Sequence, residues 1–302
     1  MSEKINNNIR SLGNNVIERF YRNDGIGVPC VFSPWRRASS NKKIIYCSGD
    51  LSIHMAQLGA GKTMALSQIA ISSMVQYHKV LFISLELSAE NLLYRMGRQA
   101  SGLRDPEITY LQAMHSYFES NLWIDTVSDP DAILNAIEVA HERHGVKTII
   151  IDSLNRINFS NPIGHVHFVK DLLGLARDLD IHIHLSVQAY EEQGRQSIKA
   201  DSVILDIVDN VYVINRALGK EESIVNLIET AQEVPQEIND QFDLTLACSK
   251  QRNSDFSRFW IGLWFDKESL QFLSLPTDLP AVFIRKPEEY LCGAACETDM
   301  KH

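Results

Sequence analysis

The octapeptide at residues 56–63, AQLGAGKT, constrains the fold more than any other stretch of this sequence. It ends in Gly-Lys-Thr, the close of the phosphate-binding pattern GxxxxGK[ST], although Ala56 replaces glycine at the first position. In such a loop glycines let backbone N–H groups point at phosphate oxygens. A lysine neutralises the phosphate charge, and a Thr hydroxyl ligates Mg²⁺. The segment therefore predicts a phosphate loop.

The flanking residues support this interpretation. Residues 51–55 have the character of a short strand, and residues 64–71 have that of a helix with an apolar stripe. Strand, Gly-rich loop and helix thus occur in the order that a phosphate loop requires, which disfavours the alternative of an ordinary Gly-rich turn. The predicted nucleotide contacts are Ala56, Gln57, Leu58, Gly59, Ala60, Gly61, Lys62, Thr63 and Met64.

Composition sets the broad class of protein. The 302 residues are 45% apolar and 22% charged, which is typical of a globular chain with ample core. The sequence has neither a membrane-spanning apolar run nor a signal-peptide core, and its five cysteines are scattered, so we expect reduced thiols in the cytoplasm. A net charge of −9 argues against nucleic-acid binding over most of the protein surface, but it is compatible with DNA bound locally by a few loops.

From residue 51 to about 275 strands and helices alternate, which predicts an α/β fold with a parallel sheet wrapped by helices. Strands are predicted at 43–47, 51–55, 79–85, 122–125, 146–152, 181–188 and 211–214, and helices at 64–71, 89–99, 131–143 and 165–179. Further strands at 224–230, 243–249, 258–265 and 270–274 are expected to be antiparallel. We expect an N-terminal segment at 1–26 with an amphipathic helix at 15–22, one domain at 27–280, and a C-terminal tail at 281–302.

Two acidic residues lie at the carboxyl ends of predicted strands. Asp152 ends the most apolar strand, at the sheet edge where ligands of open α/β folds bind, and can hold Mg²⁺ opposite Thr63. The alternative for Asp152 is the N-cap of the next segment. Glu86 follows another strand and can polarise an attacking water, although a Glu at a strand end is usually just solvated.

Four separated motifs resemble DnaB-type replicative helicases. Residues 83–96, ISLELSAENLLYRM, resemble the segment written SLEMSAEQLxxRM in that family. Residues 149–154, IIIDSL, resemble IVIDYL, and residues 185–188, LSVQ, resemble ALSQ. Residues 250–253 match the motif KQRN, and an alanine commonly opens the phosphate loop of this family. The resemblance covers about residues 25–275.

The resemblance implies a RecA-like P-loop ATPase core that uses ATP and Mg²⁺ and works in a homo-oligomeric, hexamer-like ring. It implies that Lys62 contacts the reacting phosphates, that Glu86 is the catalytic base and that Gln188 is the γ-phosphate sensor. Lys250 and Arg252 would reach into the nucleotide of the neighbouring subunit, where a fixed cation stabilises developing charge. The alternative for Lys250 and Arg252 is a solvated hairpin end.

The resemblance also implies a single-stranded DNA site. Residues 189–199 are polar, contain Gly194 and follow a predicted strand, so we expect a loop at the sheet edge that binds DNA phosphates through Arg195 and Lys199. The family has Glu-Ser-Gly after the position of Lys199, whereas this chain has Ala-Asp-Ser at 200–202, which puts a glycine backbone contact in doubt. A merely exposed loop is the alternative, and residues 156–165 are a weaker second candidate for DNA binding.

Only about 26 residues precede the predicted core, which is room for a linker helix but not for the N-terminal domain of this family. The preferred hypothesis is a stand-alone, phage-type, ring-forming helicase motor acting in the cytoplasm, with no membrane partner. The first alternative is a recombination-type DNA-binding NTPase, in a ring or filament, that does not unwind DNA. The second is a nucleotide-gated scaffold with little turnover, which the intact set of predicted catalytic residues disfavours.

Overall fold

The computed structural model describes residues 27–32, 45–161, 163–192, 195–198, 202–252 and 259–284. These residues form a 10-stranded sheet and a separate pair of short strands, β1 (Gly27–Pro29) and β2 (Ile45–Cys47). The predicted helix at 15–22, most of the predicted tail, and Lys199 lie outside the described residues.

The central part of the sheet is parallel, as predicted. Its strands are β3 (Leu51–Ala56), β4 (Val80–Ser84), β5 (Leu122–Asp125), β6 (Thr148–Asp152), β7 (His182–Glu192) and β9 (Asn210–Arg216). They lie in the order β9-β3-β7-β6-β4-β5. The strands β3, β4 and β6 are buried along their whole length, which is why they appear in the sequence as continuous apolar runs.

Helices cover both faces of the sheet. They are α1 (Lys62–Val75), α2 (Ala89–Ser101), α3 (Ile108–Asn121), α4 (Pro130–His144), α5 (Gly164–Asp178), α6 (Ser202–Ile207), α7 (Leu218–Glu229) and α8 (Gln236–Asn239), with a 3₁₀ turn at Leu154–Arg156. One apolar core lies under α1, α2 and α3, and the other lies under α4 and α5. In the part of the chain that is described, none of the helices is long and apolar enough to cross a membrane.

Antiparallel strands complete the sheet at its C-terminal end. They are β10 (Leu244–Gln251), β11 (Phe259–Asp266) and β12 (Gln271–Leu273), and β9 pairs directly with β10. The predicted strand at 224–230 is wrong, because this segment belongs to α7. Since β10 occupies the free edge of β9, no position remains there for another strand, and Lys220 instead anchors α7 to the chain before β10.

The loop expected after Gln188 is mostly a β-hairpin. The strand β7 continues through Glu192 and pairs with β8 (Arg195–Ile198), which makes a hairpin that projects beyond the central sheet. Only Gln193 and Gly194 lie between the two strands, and glycine in a two-residue connection is a common hairpin signal. The polar composition of residues 189–199 favoured the prediction of a loop instead of two strands.

A layer of buried polar and aromatic side chains lies on the face of β3 and β7 that contacts β2. Nε2 of His54 is 3.0 Å from Nδ1 of His184, and Nε2 of His182 is 2.9 Å from the Ser52 hydroxyl. The ring of Tyr46 packs edge-on against His184, with centroids 4.6 Å apart. Burial lowers the pKa of all three histidines, to about 3 for His54 and about 4 for His182, so they are neutral in the folded protein at pH 7.

Candidate nucleotide-binding site

The phosphate loop connects β3 to α1, as the sequence predicts. Gly59 and Gly61 have φ angles of 74° and 84°, a left-handed conformation that side chains with a Cβ disfavour. Gly61 is the N-cap of α1 and has no side chain to occupy the N–H groups of the first turn, which leaves them available for an anion. A Cβ on Gly61 would lie 2.8 Å from the ring of Phe272, so this loop also needs glycine for close packing.

Thr63 and Asp152 are 89 residues apart in sequence and meet at the carboxyl edge of the sheet. The Thr63 hydroxyl donates to Oδ2 of Asp152 over 2.6 Å, and the Ser186 hydroxyl donates to Oδ1. Burial raises the pKa of Asp152, while these two hydrogen bonds act in the opposite direction. Asp152 therefore faces Thr63 rather than capping the next segment.

Glu86 lies two residues after the end of β4, near Asp152. The Ser153 hydroxyl donates to Oε1 of Glu86 over 2.7 Å, and the Leu85 N–H donates to the carbonyl of Asp152 over 2.7 Å. The neighbouring ends of β4 and β6 thus hold two carboxylates close together, and Glu86 lines the cavity above the phosphate loop.

Gln188 lies on β7 opposite Ala56, the residue that opens the phosphate loop. Its N–H donates to Oδ1 of Asn155 over 2.7 Å, which ties β7 to the 3₁₀ turn after Asp152. Gln188 therefore lies beside the phosphate-loop end of β3, and β7 continues from Gln188 into the β7–β8 hairpin.

A cavity of about 690 Å³ opens over the phosphate loop, a size that suits a nucleotide. It is lined by the phosphate loop, with Lys62 and Thr63, by Glu86, and by residues of α7, β11 and β12. Arg95 belongs to the motif at 83–96 but had no predicted role, and no motif indicated the other lining residues: Arg216, Glu221, Ile224, Val225, Asp243, Leu244, Phe265, Lys267 and Phe272. Most of them lie far from the phosphate loop in sequence, so only the tertiary fold brings them together.

Lys250 and Arg252 lie at the opposite end of the sheet from this cavity. Leu244, at the start of β10, lines the cavity, and Lys250 is six residues further along the strand, which separates the two by roughly 20 Å. Nζ of Lys250 donates to the carbonyls of Leu205 and Asp206 over 2.7 and 3.0 Å, and the Arg252 guanidinium donates to the Asp206 carbonyl over 2.6 Å. Neither cation contacts the cavity of its own chain.

The two candidate DNA-binding segments have different structures. Arg195 begins β8 of the hairpin, whereas Lys199 follows the hairpin outside the described residues. In the second candidate, residues 156–165, Asn158 donates to the Ser128 hydroxyl over 2.8 Å and Asn161 accepts from the Ile163 N–H over 3.0 Å. These asparagines serve the local structure, which weakens that segment as a DNA site.

The Thr63 hydroxyl and the Asp152 carboxylate are the residues that would hold a Mg²⁺ ion beside the phosphate loop. Within the described residues no three His, Cys, Asp or Glu side chains cluster around a cation site. Protein Mg²⁺ sites commonly use one or two side chains together with water and substrate phosphates, so a hydroxyl and a carboxylate beside a phosphate loop are a suitable donor set.

The comparisons with known proteins agree with this geometry. The AAA domain family matches residues 42–189, which include the phosphate loop, Glu86, Asp152 and Gln188. A solved DnaB-like replicative helicase, whose interactions with primase are described with it, is 16% identical, with a TM-score of 0.66 over 90% of this chain and 68% of that chain. A second solved structure, described as an ATPase domain, is 15% identical, with a TM-score of 0.69 over 89% of this chain and 99% of that chain. No curated protein sequence matches the chain.

At these identities the structural likeness establishes the fold, and the AAA match covers the part of the chain that forms the phosphate site. The chain is an ATP-hydrolysing P-loop enzyme, and it has the RecA-like fold of the ATPase domain of DnaB-type helicases.

Proposed function

We propose that the chain hydrolyses ATP in a Mg²⁺-dependent reaction that is coupled to single-stranded DNA, in a ring-forming motor of the DnaB helicase type. One observation carries this proposal. Lys62, Thr63, Glu86 and Asp152 come from three separate parts of the sequence and meet at one end of the sheet, around or beside one cavity.

Each of these residues has a role that its position supports. Lys62 and the first-turn N–H groups of α1 bind the terminal phosphates. Thr63 and Asp152 would hold Mg²⁺, which would neutralise charge on the phosphates. Glu86 accepts a proton from the attacking water, and the Ser153 hydroxyl positions Glu86 for this step.

The path of β7 supports coupling to DNA. Gln188 lies beside the phosphate loop, and the same strand continues four residues further to the end of the hairpin arm. A change at Gln188 on loss of the γ-phosphate is transmitted along β7 to the hairpin, where Arg195 and Lys199 bind DNA phosphates. The proposed DNA site is therefore the hairpin and not residues 156–165.

Lys250 and Arg252 act on the nucleotide of a second copy of the chain. Their separation from their own cavity supports this role, because a cation roughly 20 Å away cannot stabilise charge on the γ-phosphoryl group. Copies that associate head to tail form a closed ring, or a filament if the rotation does not close.

One sequence feature favours the recombination-type alternative. Ala-Asp-Ser stands at 200–202, where DnaB-type helicases have Glu-Ser-Gly, so the DNA-binding segment lacks that glycine. A strand-displacement assay separates the two functions, since the helicase releases a paired strand during ATP hydrolysis and the recombination-type protein does not.

The substitution Lys62→Ala tests the phosphate site. We expect ATP hydrolysis to be abolished and nucleotide affinity to fall, because the cation that binds the terminal phosphates is removed. Calorimetric ATP titration and phosphate release measure the two effects, and Lys170→Ala, an exposed lysine on α5, is the matched control. ATP turnover at the wild-type rate in Lys62→Ala would overturn the assignment.

A further inference from the structure

The helix α7 forms one wall of the nucleotide cavity but packs loosely. Of its twelve residues only Lys220 is buried. Nζ of Lys220 donates to the carbonyls of Asn239 and Gln241 over 3.1 and 2.5 Å and to the Asp243 carboxylate over 2.8 Å. The N-terminal turn of α7 is therefore fixed, while the rest of the helix has little packing to hold it in place.

The apolar side chains of α7 fall on one face of the helix. Leu218, Val225 and Ile228 are spaced by seven and three residues, and their side chains are 47, 51 and 65% exposed. The same face includes Glu221 and Ile224, and it is Glu221, Ile224 and Val225 that line the cavity. An apolar helix face of this kind lacks a covering partner among the described residues, and it points partly towards the ligand space.

Charge decides which end of the nucleotide lies against this wall. Two carboxylates line the cavity on this side, and both are paired with cations: Glu221 with Arg216 over 2.8 Å, and Asp243 with Lys220. The phosphates belong with Lys62 and the open N-terminus of α1. The uncharged nucleoside end of the ligand is left for the aliphatic side chains of α7.

We propose that α7 is a lid that closes on the nucleoside end of the bound nucleotide through Ile224 and Val225. The fixed turn at Lys220 is the pivot. The exposed pair Arg216–Glu221, with side chains 40 and 37% exposed, is a weak latch that can adjust during closure. This inference rests on the proposed ATP site, and it adds a contact that recognises the base and ribose independently of the phosphates.

Comparing ATP with inorganic tripolyphosphate tests the lid, because tripolyphosphate has the phosphates but no nucleoside. In Val225→Ser, and in Ile224→Ser, we expect ATP to bind about tenfold more weakly while tripolyphosphate binds as it does to the wild type. Ile228→Ser is the matched control, since Ile228 is on the same helix and more exposed but does not line the cavity. It should bind both ligands normally.

Hydrogen exchange provides an independent readout of closure. The amides of residues 218–229 should exchange more slowly with ATP than with tripolyphosphate at saturation of each ligand. The lid would be overturned if both cavity variants kept wild-type affinity for ATP, or if they lost affinity equally for ATP and tripolyphosphate. The same conclusion would follow if Ile228→Ser lost as much ATP affinity as the cavity variants. Equal amide exchange with the two ligands would also overturn it. If the proposed phosphate site were wrong, Lys62→Ala would bind tripolyphosphate with wild-type affinity. This result distinguishes a failure of the phosphate site from a failure of the lid.

Discussion

Glu86 and Ser153 illustrate how the site depends on single residues. The carboxylate lies at the cavity and receives one hydrogen bond, from a residue adjacent to the proposed Mg²⁺ ligand Asp152. The substitution Glu86→Gln keeps the size of the side chain but removes the proton acceptor. We expect ATP to bind with nearly wild-type affinity and to be hydrolysed about 10²–10⁴-fold more slowly.

Single-turnover hydrolysis together with equilibrium ATP binding checks this expectation. Glu90→Gln is the control, because Glu90 is an exposed residue in the first turn of α2 and does not line the cavity. If Glu86→Gln lost binding and hydrolysis together, Glu86 would be a structural residue or a metal ligand instead of the base.

At the residue scale, a site residue can be predicted from the sequence when it belongs to a contiguous motif. The phosphate loop, Asp152 and Glu86 lie at the strand ends where the sequence puts them, because a buried apolar run marks each strand. Arg216 and Phe265 could not be predicted as cavity residues, since nothing in their local sequence indicates contact with residues about 150 to 200 positions earlier.

Among the helices and strands, too, some could be predicted from the sequence and others could not. The missed helix α3 had a usable signal, because Tyr110, Met114 and Phe118 recur every four residues and are its buried positions. The run Ile-Val-Asn-Leu-Ile at 224–228 was ambiguous, because a short apolar segment is compatible with either a strand or a helix. Only the pairing of β9 with β10 resolves it.

The histidine layer between β2, β3 and β7 predicts how stability depends on pH. All three imidazoles have pKa values lowered by burial, and within the described part of the chain Nε2 of His184 has no hydrogen-bond partner. Below pH 6.5 the unfolded chain therefore binds protons that the folded chain does not. The free energy of unfolding should fall as pH drops from about 6.5 towards 4, by up to about 1.4 kcal/mol per pH unit for each histidine.

Urea unfolding at a series of pH values measures this effect. The variant His54→Gln, which cannot gain a proton in this range, should show a smaller slope between pH 6 and pH 4.5 than the wild type. An identical slope in the two proteins would mean that other groups control acid sensitivity.

For the whole molecule, the main question is whether each site is completed by a second copy. Arg252→Ala should reduce ATP hydrolysis while ATP still binds, because the cation that stabilises the transition state in the neighbouring copy is lost. Such a cation increases the rate about 10³–10⁵-fold in related systems. Arg177→Ala is a matched control, since Arg177 and Arg252 both lie 3.5 Å from the Asp209 carboxylate.

Mixing inactive variants extends this test. Arg252→Ala has an intact phosphate loop and Lys62→Ala has an intact Arg252, so mixed oligomers contain some complete sites and should regain part of the activity. A fully active monomer, or mixed oligomers that regain nothing, would contradict the shared site.

The most direct test of the central claim is the steady-state rate of ATP hydrolysis with and without single-stranded DNA, in the presence of Mg²⁺. We expect Mg²⁺-dependent turnover that single-stranded DNA increases, and loss of that increase, but not of basal turnover, in the double variant Arg195→Ala, Lys199→Ala. The increase should also weaken as salt rises, because the contacts are to DNA phosphates. Turnover that is independent of Mg²⁺, or that single-stranded DNA leaves unchanged at low salt, would contradict the account.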